Sequence, residues 1–111
     1  MADESLPFKH NGGIYMLTSK QRAYLRGLAN TIEPVLIIGK GGLNDNMMAD
    51  IDAALEAREL IKIKILNNSM TEPKEASIEI AERTGAEVVQ VIGGKFVLYR
   101  KSEENPTIVL P

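Results

Sequence analysis

Residues 60–66, Leu-Ile-Lys-Ile-Lys-Ile-Leu, alternate isoleucine with lysine, and this run limits the fold more than any other feature. Successive side chains of a strand point to opposite faces of its sheet. Ile61, Ile63 and Ile65 therefore share one face, and Lys62 and Lys64 share the other. A strand of this kind needs an apolar layer on one side and keeps a wet, basic face on the other.

The flanking sequence supplies that layer as helices. Thr18 followed by Gln21 fits a capping box. Leu17, Gln21, Tyr24, Leu25, Leu28 and Ile32 then fall on one helical stripe, with Arg22 and Arg26 opposite, beside Ser19 and Asn30. Pro34 closes this helical region. Residues 35–38 are apolar throughout and too short for a helix, so a strand buried on both faces is expected. Asn44 is a good N-cap for a second helix, and Asp45 suits the positive end of its dipole. Met47, Met48, Ile51, Ala54 and Leu55 form its core stripe. A third helix starts near Thr71 to Pro73 and ends at Thr84-Gly85, where glycine supplies a left-handed cap. Two final strands, residues 87–92 and 95–100, flank Gly93-Gly94 as a hairpin.

The order is α-β-α-β-α-β-β. Strand–helix–strand units imply right-handed crossovers between parallel strands, and the closing hairpin makes the sheet mixed. Residues 1–15 show no sustained period and contain Pro7 and Asn11-Gly12-Gly13. They read as a flexible N-terminal extension, with a native segment and a cloning remnant weighed equally. Residues 16–102 form the domain, and residues 103–111 a tail, acidic then apolar, that either lies along the domain or hangs loose.

Composition removes several classes of function. There is no apolar run long enough to cross a bilayer, so no membrane partner is expected. With no cysteine there is no thiolate chemistry, and a reducing, cytoplasmic location is expected. The one histidine, His10, lies in the lead-in, so no histidine metal site is available and no cofactor is expected. Asp50 and Glu87 remain open to acid–base roles, but nothing singles them out, and a non-enzymatic protein is expected. Aromatic residues make up 5% of the chain, too few for a paired-aromatic stacking platform. Phe96 and Tyr99 should lie on opposite strand faces, with Phe96 in the core.

The net charge of −2 conceals a segregation. Residues 16–44 carry Lys20, Arg22, Arg26 and Lys40 against Glu33, a net +3. Residues 45–60 carry five carboxylates against Arg58, a net −4. Lys62 and Lys64 follow, then residues 72–87 at a net −3, and Lys95, Arg100 and Lys101 close the domain at +3. The second and third helices read as acidic, solvated faces. The rest carries the base and can draw a polyanion to one side.

Gly39-Lys40-Gly41-Gly42 joins a strand to a helix N-terminus, where free amides and the dipole favour an anion. Glycine also lets a phosphate come close to the backbone. Glycines in such turns often serve backbone geometry alone, and that plain reading stands beside the anion site. Two nucleotide motifs fail. The P-loop requires a glycine five residues before Gly39, where Pro34 stands, and Ser or Thr where Gly41 stands. The dinucleotide fingerprint requires a third glycine where Asn44 stands.

With residues 17–29, 38–47, 54–66 and 88–104 in view, the chain resembles the CRM domain (chloroplast RNA splicing and ribosome maturation) in its stand-alone bacterial YhbY-type form. The resemblance covers Met16 to Leu110. It implies an α/β fold of the two-layer α+β kind, a four-stranded mixed sheet supported by three helices, similar to the C-terminal domain of translation initiation factor three. It implies RNA binding in large ribosomal subunit assembly, with ribosomal RNA precursors and ribosomal proteins as partners and no small-molecule substrate. The family's GxxG loop maps onto Gly39, Lys40, Gly41 and Gly42, and its basic surface onto Lys20, Arg22 and Arg26, then Lys62, Lys64 and Arg100. The alternative is a protein-interaction module that docks through the apolar tail or the acidic helices.

Overall fold

The computed structural model describes residues 9–10, 14–15, 17–67, 69 and 71–111. Within the lead-in, β1 (Lys9–His10) and β2 (Ile14–Tyr15) pair antiparallel. The remainder of the extension expected over residues 1–15 lies outside the described residues. Thereafter come α1 (Ser19–Ala29), β3 (Pro34–Ile38), α2 (Asp45–Arg58), β4 (Leu60–Ile65), α3 (Pro73–Thr84), β5 (Glu87–Ile92) and β6 (Lys95–Tyr99).

Local chemistry sets the ends of these elements. The Gln21 amide donates to Thr18 Oγ1 and the Thr18 amide to Gln21 Oε1, both at 3.1 Å, which is the expected capping box. Asn44 Oδ1 accepts from the Met47 amide at 2.8 Å. Gly85, at φ 82°, closes α3 in the left-handed conformation. The end of α2 was not foreseen: Glu59 stands there at φ 68°, a conformation that side chains with a Cβ rarely adopt.

Strand order in the main sheet is β3-β4-β6-β5. β3 and β4 are parallel, and β6 is antiparallel to both β4 and β5. The second crossover therefore skips one position, and the hairpin returns β6 into the gap. β3 is consequently an edge strand. This corrects the expectation that residues 35–38 are buried on both faces, since Ile37 is 54% exposed.

Each face of the sheet has its own core. Against one, α2 and α3 bury Ile51, Leu55, Ala76 and Ile80 on Ile61, Ile63, Phe96 and Leu98. Against the other, α1 buries Leu25 and Ala29 on Leu60, Val89, Val97 and Tyr99. Leu17, Leu28, Ile32, Ile108 and Leu110 flank that second core, so the tail lies along the domain. The lysine-bearing face is thus covered at the Leu60 end and open at the Lys64 end. Phe96 and Tyr99 do fall on opposite faces, and both are buried. Tyr24, expected in the buried stripe, is 43% exposed.

Candidate nucleic-acid interface

Three connections gather at one end of the sheet. The Leu66 amide donates to the Ile38 carbonyl at 2.9 Å, joining the ends of β3 and β4. The Ile65 amide donates to the Gly94 carbonyl at 2.7 Å, which brings in the β5–β6 turn. A Cβ on Gly94 would lie 2.9 Å from the Ile65 carbonyl oxygen, so this close approach needs glycine.

The Gly39–Gly42 turn projects from the same end. It closes on itself, with the Gly42 amide donating to the Gly39 carbonyl at 3.1 Å. Gly42 is buried at φ 76° beside Thr71, so backbone geometry demands glycine there. Gly39 and Gly41 differ: a Cβ on either would meet nothing within 4 Å, and neither has a left-handed φ. The fold does not require glycine at these two positions. Without a Cβ, their backbone lies open to close approach. Among the described residues, the amides of Gly41 and Leu43 carry no hydrogen bond, while that of Gly42 is engaged in the turn. Lys40 is exposed at the tip. The positive end of α2 already holds the Asp45 carboxylate, 3.3 Å from Arg83 Nη2. The backbone groups open to solvent at this end of the sheet are therefore those of the turn.

Cross-strand register places further base beside the turn. Ile37 pairs with Lys64, Lys64 with Lys95, and Lys95 with Ile92, one row across the whole sheet on the α1 face. All four are exposed, and Lys62 is half-buried in the next row, opposite Val97. Lys95 was not singled out from sequence. The signal for it was the two-residue hairpin, which fixes the register of β5 and β6 but not the pairing of β6 with β4.

α1 crosses the covered end of this face. Gln21 Nε2 donates to the Pro111 carbonyl at 3.3 Å, so the tail runs along that side of the helix. At about 100° per residue, Arg22 and Arg26 border the buried stripe on the side away from Gln21. Arg22 does not stand on the helix's solvent face as expected: its Nη1 donates to the Val88 carbonyl and ties α1 to β5. Arg26 is half-buried and Lys20 exposed. Among the described residues no carboxylate pairs with Lys20, Arg26, Lys40, Lys62, Lys64 or Lys95.

Arg100 lies elsewhere. Its Nη1 donates to Asp52 Oδ1 at 2.6 Å and the Thr84 carbonyl at 2.7 Å, and its Nη2 to the Asp52 carbonyl at 3.0 Å. It clamps the end of α3 to α2 and is not part of the open row.

Two carboxylates act on the tail. Glu59 is buried and accepts from the amides of Ser102, Thr107 and Ile108, each at 2.8 Å, and from the Thr107 hydroxyl at 3.1 Å. Burial alone would push its carboxyl up, but these donors outweigh it and hold the group below the ordinary range. Glu56 accepts from Ser102 Oγ at 2.7 Å and from the Glu103 and Glu104 amides at 3.1 Å, which lowers it too. Sequence pattern had put the carboxylates mostly on solvent faces; Glu59 and Glu87 are buried.

Residues 17–100 match the CRS1 / YhbY (CRM) domain. The chain is 44% identical to the probable RNA-binding protein YqeI of Bacillus subtilis, over 86% of this chain and all of that one. It is 43% identical to an RNA-binding protein of Haemophilus influenzae, over 79% of this chain and 89% of the relative. The solution structure of Staphylococcus aureus SAV1595 superposes with a TM-score of 0.73 at 52% identity, over 86% of this chain and all of that one. Sheet order, helix placement and these similarities agree: the chain belongs to the CRS1/YhbY (CRM) domain family.

Proposed function

We propose that this protein binds RNA and acts on ribosomal RNA precursors in large-subunit assembly. The Gly39–Gly42 turn grips the backbone, with a phosphate at the Gly41 and Leu43 amides and Lys40 neutralising its neighbour. Lys20, Arg26, Lys62 and Lys64 extend the contact. Arg22 and Arg100 hold the surrounding elements in place. The observation that carries this reading is the combination at one end of the sheet of two glycines the fold does not need and lysines that, among the described residues, no carboxylate neutralises. The names of the bacterial relatives point the same way.

Such contacts are backbone-directed, so binding is salt-sensitive and weakly sequence-specific. Roughly three to five phosphate contacts give a log–log salt slope of about −2 to −4. Titrating structured ribosomal RNA at several salt concentrations tests this, and a slope near zero refutes it. A protein-docking role through the tail is disfavoured by the packing of Ile108 and Leu110 against the second core. Partners that survive ribonuclease treatment in a pull-down would favour it instead.

A further inference from the structure

The row Ile37–Lys64–Lys95–Ile92 has a feature that a duplex-backbone contact does not use. Its two outer members are isoleucines, 54% and 63% exposed. They stand on the two edge strands, at opposite ends of a line about 14 Å long at ordinary strand spacing. Between them, Lys64 and Lys95 lie directly opposite each other with no carboxylate beside them among the described residues. Like charges in that position repel, and an anion seated between them relieves the repulsion.

The order of charge and apolar surface identifies the occupant. A protein partner seeks an apolar centre with a polar rim. Here the charge is central and the apolar groups are marginal. A nucleic-acid duplex turns phosphate and sugar outward and offers the isoleucines little. A single strand presents phosphates for the lysines and unstacked base faces for apolar side chains at the same time. Resting on the RNA-binding reading above, we infer that the open half of the sheet is a docking face for single-stranded RNA. The backbone passes over Lys64 and Lys95 while bases lie against Ile37 and Ile92. With Phe96 and Tyr99 buried, the base contacts are aliphatic and tolerant of sequence.

The test uses the full chain, an unstructured mixed-sequence oligoribonucleotide, and the duplex it forms with its complement. The double variant Ile37→Thr/Ile92→Thr keeps β-branched residues in both strands and removes apolar surface. It is expected to weaken single-strand binding about five- to tenfold, leave the duplex within about twofold and keep the salt slope. No loss, or an equal loss for both RNAs, overturns the inference. A change in sedimentation without a change in RNA binding overturns it too, by showing a contact between copies. If the double variant does not fold, Ile92→Phe decides: tighter single-strand binding supports the docking face, and unchanged or weaker binding refutes it. When Gly41→Asp weakens RNA binding and the isoleucine variants do not, only this inference falls. When the unmodified chain binds neither RNA, the proposed function falls with it.

Discussion

The two ends of the sheet handle their backbone in opposite ways. Where β3 and β4 finish, the Gly39–Gly42 turn stands out with the Gly41 and Leu43 amides unbonded among the described residues. At the other end, the chain after β6 hands its amides to Glu59 and Glu56. The contrast teaches where each sign of charge belongs. Glu59 and Glu56 sit where the chain's own amides need acceptors, whereas Lys40, Lys64 and Lys95 stand with no carboxylate paired to them among the described residues.

Removing the internal acceptor is the largest way to break this contrast. Glu59→Ala leaves the Ser102, Thr107 and Ile108 amides without their partner, at about 1–3 kcal/mol for each group left unsatisfied. Urea unfolding is expected to show a loss of about 3–4 kcal/mol after partial hydration of the freed tail. Affinity for RNA, measured per folded molecule, should not change. A stability loss below about 1 kcal/mol would mean that the tail is not strapped as described.

Next comes the opposite end. Gly41→Asp places a carboxylate where an RNA phosphate is expected, and a Cβ there meets nothing within 4 Å. Fluorescence anisotropy should show about a tenfold loss of RNA affinity, about 1.4 kcal/mol, with the thermal midpoint unchanged. The two neighbouring glycines sharpen the point. Gly42→Ala, at φ 76°, should cost about 1–2 kcal/mol of stability, whereas Gly41→Ala stays within about 0.5 kcal/mol. Equal effects at both would remove the distinction between a glycine the fold needs and one it does not.

The smallest effect is a pH dependence. Glu59 and Glu56 are both held below the ordinary glutamate range in the folded chain. Their stabilisation is therefore complete above the unfolded-state value and is lost as pH falls through the lower folded-state values. Thermal midpoints across the acid range should fall less steeply for Glu59→Gln than for the unmodified chain, because one titrating strap is gone. Parallel acid limbs would show that Glu59 does not carry the strap.

Much of the fold was legible because its signals are local. Thr18 with Gln21, Asn44, and Gly85 mark helix ends through bonds that span a few residues. The alternation over residues 60–66 placed Ile61, Ile63 and Ile65 in the core as expected. The candidate turn was legible too, since its glycines follow a strand and precede a capped helix. What could not be seen was which basic residues are already engaged. Arg22 and Arg100 look like their neighbours in sequence, yet one reaches a carbonyl of β5 and the other clamps two helices. Those partners lie 66 and 48 or fewer residues away, and no period connects them.

The sequence by itself determined the order from α1 to β6, the caps at Thr18, Asn44 and Gly85, the hairpin and the segregation of charge. Each depends on neighbours along the chain or on a repeat of two or about 3.6 residues. Only the tertiary structure decided that β6 enters between β4 and β5, that α1 covers one end of the lysine face, and that Ile37, Lys64, Lys95 and Ile92 line up. Register between strands distant in sequence is set by packing both faces at once, and no single segment contains that information. Glu59 shows the same limit: its buried carboxylate is accommodated by three amides that come from the tail, more than 40 residues further along the chain.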